Sequence, residues 1–178
     1  MVAGGRAATL YWLKLLSGDS VVYGSHGLGR IVAREERVVL GAMQEILVLD
    51  LPGGLSVTLP VAQARDLVRR PLAKSDLVAV QETLREEHSL SEEGWLQRRR
   101  ATNAKLTGDP LALAEVIRDG ARRQQRLMLR RPPSQLSPGE KDACLQARRL
   151  LSDEIALARG SDLDDADAWI EQQLVASA

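Results

Sequence analysis

The chain has 178 residues, 44% of them hydrophobic, with 24 basic and 24 acidic side chains and a formal net charge of +0. That length suits one medium domain or two small ones, and the 27% charged fraction in a chain this apolar argues against wholesale disorder. One cysteine and two histidines exclude an internal disulfide and a credible zinc cage, and no apolar run reaches the length of a membrane span. Residues 1–17 carry one early Arg and an apolar patch broken by Lys14, with no clear small-residue cleavage site; they read as an N-terminal extension rather than a secretory signal. The lone Cys144 suits a reducing, cytoplasmic compartment. Aromatic residues make up only 3%, so the core must be aliphatic.

Residues 18–60 read as strands. Ser20 to Tyr23 is β-prone and ends in the turn Gly24-Ser25-His26-Gly27. Gly29 to Ala33 follows as a short strand, and Arg37 to Leu40, Gly41, then Gln44 to Leu51 read as a hairpin around a loose turn. Pro52-Gly53-Gly54 is the strongest turn signal in the chain, and Leu55 to Leu59 alternates as a half-buried strand before Pro60. This spacing predicts a small SH3- or Tudor-like antiparallel barrel.

From residue 61 the apolar period becomes helical. Ser75-Asp76 can cap a helix carrying Leu77, Val80 and Leu84, and a second helix is expected over residues 92–106. Asp109-Pro110 is an N-cap followed by Pro at the first helical position, opening a helix that should bury Leu111, Ala114, Ile117 and Ala121 and end before Pro132-Pro133. Ser137-Pro138-Gly139-Glu140 is a capping box, and its helix should run to about Arg159 with Cys144, Leu145, Leu151 and Ile155 on the apolar side. Asp162 caps a last helix through Trp169, read as core, and Leu174. The expected architecture is α+β. It comprises an extension over 1–17, a β domain over 18–74, and an all-α bundle over 75–178 with an acidic last helix.

No catalytic constellation appears. Cys144 sits at an apolar helical position, His26 lies in a turn, and His88 in a polar linker. The glycines at 24, 27 and 29 lack the Lys-Ser/Thr of a phosphate-binding loop. The cluster Asp162, Asp164, Asp165, Asp167 lacks the Gly and Glu of a calcium loop, and helix capping explains it. Neither metal nor cofactor is expected.

The basic residues are the informative ones. Residues 94–150 hold 13 Lys and Arg against 5 Asp and Glu, whereas residues 151–178 hold 1 against 7. One group follows Trp95: Arg98, Arg99, Arg100 and Lys105. A second is Arg118, Arg122, Arg123, Arg126, Arg130 and Arg131; a third is Lys141, Arg148 and Arg149. Three basic groups in one small bundle make a candidate phosphate-binding surface, against the plainer reading of a solvated face. Trp95, at a helix start among polar neighbours and beside arginines, is either a core or cap residue or a minor-groove wedge.

Gly18 to Tyr23 with Gly27 resembles the opening of CarD-family proteins and of the polymerase-interaction module of transcription-repair coupling factors. The helical half resembles CarD more specifically. Trp95-x-x-Arg98-Arg99, Lys105-Leu106, Gly108-Asp109, Ala114 to Asp119, Arg122-Arg123, Leu136-Ser137-x-Gly139-Glu140-Lys141, Ala147-Arg148, and Leu151 through Glu154 to Ala158 follow the family's order. The resemblance covers about residues 18–160. It implies a non-enzymatic transcription regulator whose β domain docks on the RNA polymerase β subunit and whose helical domain lies on promoter DNA at the upstream fork, stabilising the open complex. Trp95 then takes the wedge position. Arg98, Arg99, Arg100 and Lys105, with Arg118, Arg122, Arg123 and Lys141, face phosphates. On the β domain, Thr58 and Arg37 align with polymerase-contacting arginines of the family, and Arg30 and Arg34 are candidate substitutes. A monomer is expected, cytoplasmic and nucleoid-associated, without membrane contact. The alternatives are a non-specific DNA-binding protein without polymerase contact and a protein-interaction module. Gly120, in a helix where a bulky residue is usual, costs about 1 kcal/mol against Ala and marks a kink or a close approach.

Overall fold

A computed structural model describes residues 15–87 and 94–176, apart from the side chains of Arg65 and Trp95. Residues 1–14 of the expected extension, His88, the helix start expected at Glu92 and Glu93, and the Trp95 side chain therefore lie outside what is described. The chain divides into two compact units at Pro71–Leu72. The first is an antiparallel sheet and the second is helical, an α+β composition.

In the first unit the strands are β1 (Ser20–Tyr23), β2 (Leu28–Val39), β3 (Ala42–Leu51), β4 (Leu55–Pro60) and β5 (Val68–Arg69), in the order β4-β3-β2-β1-β5. A short helix, α1 (Val61–Leu67), leads from β4 to β5. The barrel expectation needs correcting to an open sheet, because among the described residues β4 and β5, its two outer strands, do not pair. A two-residue β5 leaves little edge for β4 to meet.

The two strands expected over Gly29–Ala33 and Arg37–Leu40 are one twelve-residue strand, β2, with a bulge between Ile31 and Ala33. The β2–β3 turn is tight, with positive φ at both Leu40 (52°) and Gly41 (82°), the geometry that matches strand twist in a two-residue hairpin. Alternate residues face one core: Val21, Ile31, Leu47, Leu49 and Leu59, closed by Leu15, Ala64 of α1 and Val68.

The second unit contains α2 (Leu77–Arg85), α3 (Trp95–Lys105), α4 (Pro110–Met128), α5 (Pro138–Arg159) and α6 (Leu163–Val175). The caps read at Asp109, Ser137 and Asp162 are made, whereas Asp76, the N-cap of α2, makes no side-chain cap hydrogen bond. Asp109 accepts from the amides of Leu111 (2.8 Å) and Ala112 (3.2 Å), and Asp162 from that of Asp165 (2.8 Å). Ser137 and Glu140 form a reciprocal capping box. Gly160, in the left-handed region at φ 65°, ends α5 as Ser161 N–H bonds back to Ala156.

The core joins Val80 and Leu84 of α2, Leu113, Ala114, Val116 and Ile117 of α4, Ala147, Leu150, Leu151 and Ile155 of α5, and Ala166 and Ile170 of α6. Leu111, Ala121 and Leu145, expected inside, are exposed, because the buried stripes run through 113–117 and 143–151 instead. Trp169 packs against the core, with the Arg159 guanidinium 5.6 Å from its ring centroid. Gly120 marks a close approach of α4 and α5: a Cβ built there would lie 2.2 Å from Cys144 Sγ.

Candidate nucleic-acid interface

The basic side chains of the helical unit separate into two sets once burial and partners are known. Arg118 belongs to the interior. It is 3% exposed, donates to the Thr83 carbonyl (3.2 Å) and Glu86 (2.7 Å), and holds Asp119 through Nε (2.9 Å). Its guanidinium ties α4 to the C-terminal end of α2 and is removed from any phosphate-facing surface. Arg148 has a similar structural role, bonded to Asp167 and Glu171 so that α6 is pinned to α5.

Around the N-terminus of α5 the pattern differs. Glu140 Oε2 closes the capping box, accepting from Ser137 N (3.0 Å) and Oγ (2.7 Å). Its Oε1 lies 3.0 Å from Arg123 Nε of α4 and 3.9 Å from an Arg98 nitrogen of α3. Partial burial pushes the Glu140 carboxyl up, but the Ser137 hydrogen bonds and the charges of Arg123 and Arg98 outweigh that and hold it below the ordinary carboxylate range. One residue thus caps α5 and gathers arginines from two other helices. Sequence reading found the cap but not the junction, since capping boxes carry no signal about distant counter-ions.

The remaining candidates sit around this junction. Lys105 at the end of α3 pairs with Glu115 of α4 at 2.6 Å. Arg99 and Arg100 are exposed on α3, Arg122 is half-buried on α4, and Lys141, exposed, donates to Gln135 (2.7 Å). Trp95 is the first residue of α3, with Gly94 as its N-cap. Arg126, Arg130 and Arg131 are exposed at and beyond the end of α4. The structure therefore brings Arg98, Arg99, Lys105 and Arg123 together and sends Arg118 elsewhere. Cys144 faces the same region, and burial, then the charges of Glu140 and Asp119, push its thiol up, away from the reactive thiolate.

In the sheet unit, register decides which candidates share a face. Arg30 pairs with Asp50, Arg37 with Gln44 and Thr58 with Val48, all even positions of β3; Arg34 pairs with Leu47. Arg30, Arg37 and Thr58 therefore lie on one face and Arg34 on the face of the core. Arg34 is engaged there, bidentate to Glu45 (2.6 and 3.0 Å) and bonded to the Leu15 carbonyl (2.8 Å). The Glu45 hydrogen bond raises the Arg34 pKa, and the same bond lowers that of Glu45. Arg34 thus ties the strand to the chain segment entering at Leu15. Arg30 bonds the Gly18 carbonyl (3.0 Å), Arg37 pairs with Glu35, and Thr58 is exposed on the outer strand β4. No described helix is long and apolar enough to cross a membrane, and no group of three acidic, His or Cys side chains among the described residues is placed to hold a metal ion.

Comparison with known proteins follows the same two-part division. Residues 15–72 match the family model described as CarD-like/TRCF RID domain, and residues 79–171 match that described as CarD, C-terminal domain. A relative in Bacillus subtilis (strain 168), described as putative transcription factor YdeB, is 28% identical over 148 residues, spanning 80% of this chain and 91% of its own length.

Proposed function

The chain belongs to the CarD family, and on that premise we propose that it is a non-enzymatic transcription regulator that holds RNA polymerase through its sheet unit and promoter DNA through its helical unit. The observation that carries this reading is that the two family domains follow one another along the chain and correspond to the two compact units. The sheet unit takes the β subunit. Its outer strand β4, with Thr58 exposed, supports docking by strand addition, with Arg30 and Arg37 on the same sheet face.

The helical unit lies at the upstream edge of the melted region. Trp95, at the first turn of α3, is the minor-groove wedge, and Arg99, Arg100 and Lys141 are the exposed phosphate contacts, with Arg98, Lys105, Arg122 and Arg123 behind them. Arg118 and Arg34 have no part in either contact, being held by Glu86 and Glu45. A protein that binds the melted promoter better than the closed one shifts that equilibrium by its differential affinity, without covalent chemistry.

The test is the salt dependence of promoter-duplex binding for wild type and for Arg99→Gln with Arg100→Gln. Two lost phosphate contacts should flatten the slope of log K against log salt by about 0.9 each. An unchanged slope and affinity would remove α3 from the interface.

A further inference from the structure

Glu154 breaks the aliphatic row that α5 turns to the core. It is 1% exposed and stands between Leu151 and Ile155, both fully buried. Capping does not call for an acid there, and the helix dipole favours the opposite charge toward that end of α5. A carboxyl so deeply buried is costly unless it is hydrogen-bonded. Its Oε2 accepts from Leu72 N–H at 2.9 Å, across 82 positions of sequence, and Leu72 is one of the groups that the carboxyl engages.

The place of Leu72 in the chain gives that bond its meaning. Leu72 is the first residue of the helical unit, and β5 ends at Arg69, so the chain passes from the last strand to Leu72 through Arg70 and Pro71 alone. Proline fixes its own φ and narrows the conformations open to Arg70. On the helical side, the Leu72 side chain is buried in the core, and the next amide, that of Ala73, donates to Asp76 at 3.0 Å. The connection is therefore two residues long, stiffened by proline, and fixed at its helical end to the middle of the core by a side chain of α5.

We propose that Glu154 is a positioning residue: by holding the Leu72 amide it fixes the point at which the connecting chain leaves the helical unit, and so couples the hold of the sheet unit on polymerase to the placing of the helices on promoter DNA. A short tether keeps the second contact at high effective concentration, and a loosened one dilutes it without changing either contact by itself. The coupling rests on the polymerase-and-DNA reading, whereas the anchor is tested without either partner.

The first arm of the experiment is native-state hydrogen exchange of the full chain, read at the Leu72 amide. Glu154→Leu should speed that exchange about tenfold or more relative to wild type, and Glu154→Gln, which keeps an acceptor, should lie between the two. The second arm is the lifetime of promoter open complexes, measured beside the separate affinities for polymerase and for promoter duplex. Because Glu154→Leu also removes a buried polar group, the companion variant inserts Gly-Ser-Gly-Ser between Arg70 and Pro71, which keeps Glu154 and Leu72 and makes the tether flexible. Both variants should shorten the lifetime about threefold or more while each separate affinity stays within about twofold, and combining them should cost little beyond either alone. The anchor is overturned if the Leu72 amide exchanges equally fast in wild type and Glu154→Leu. The coupling is overturned if the insertion leaves the lifetime at the wild-type value, or if the two changes act additively. A wild-type protein that binds neither polymerase nor promoter would instead refute the functional reading, and the exchange arm would still decide the anchor.

Discussion

Gly120→Ala should destabilise the helical unit, and Cys144→Ala should rescue it. The added methyl would lie 2.2 Å from Cys144 Sγ, well inside contact distance, whereas the next nearest atom, Cys144 Cβ, is at an ordinary 3.6 Å. Overpacking of this kind costs about 1–3 kcal/mol, and Ala instead of Gly in a helix interior returns about 1 kcal/mol. The single substitution should therefore lie between neutral and about 2 kcal/mol destabilising. With the thiol gone the clash disappears and the helix-propensity gain remains, so the double variant should be more stable than Cys144→Ala alone. A double-mutant cycle measured by urea unfolding should return a coupling of about 1–3 kcal/mol. Additive effects, with coupling under about 0.5 kcal/mol, would show that the thiol turns aside freely and refute the close-approach argument.

The buried guanidinium of Arg118 makes three charge-assisted or carbonyl contacts, so Arg118→Met should lose about 1–3 kcal/mol in thermal or urea unfolding while leaving the salt slope of DNA binding unchanged; a fall in DNA affinity at constant stability would return Arg118 to the interface. Asp167 is held below the ordinary carboxylate range, first by its hydrogen bonds from Arg148. Its contribution to stability is therefore present above the unfolded-state pKa near 3.8 and is lost as pH falls through the lower folded value. Asp167→Asn should accordingly lower stability at neutral pH and flatten the acid limb of the stability–pH curve, and an unaltered acid limb would contradict the pairing.

The helical half was legible because its boundaries are local chemistry. Asp109, Ser137 and Asp162 each satisfy orphan amides within three residues, so the cap and its consequence share one stretch of chain. The hairpin was less legible. Arg34, Glu35 and Glu36 look like a break between strands, yet Glu35 pairs with Ile46 at the last row that β4 reaches, and from Glu36 on β2 and β3 continue as a two-stranded ribbon with largely exposed side chains that needs no apolar alternation. The turn itself was hidden because Leu40, fully exposed, takes a backbone conformation that favours glycine. Sorting the arginines was beyond sequence reading for a different reason. Arg118 and Arg148 look like Arg99 and Arg100 until their partners are known, and those partners lie 32 residues away at Glu86 and 19 and 23 away at Asp167 and Glu171. The gathering of Arg98 and Arg123 on Glu140 depends on three helices meeting, which only packing decides.

The most direct test of the account is the lifetime of promoter open complexes on RNA polymerase, measured without the protein, with wild type, and with Trp95→Ala. The account predicts a longer lifetime with wild type, lost in Trp95→Ala while affinity for polymerase is retained, since the wedge and the dock lie in different units. A lifetime unchanged by the wild-type protein, or a Trp95→Ala variant that loses polymerase affinity in parallel, would contradict it.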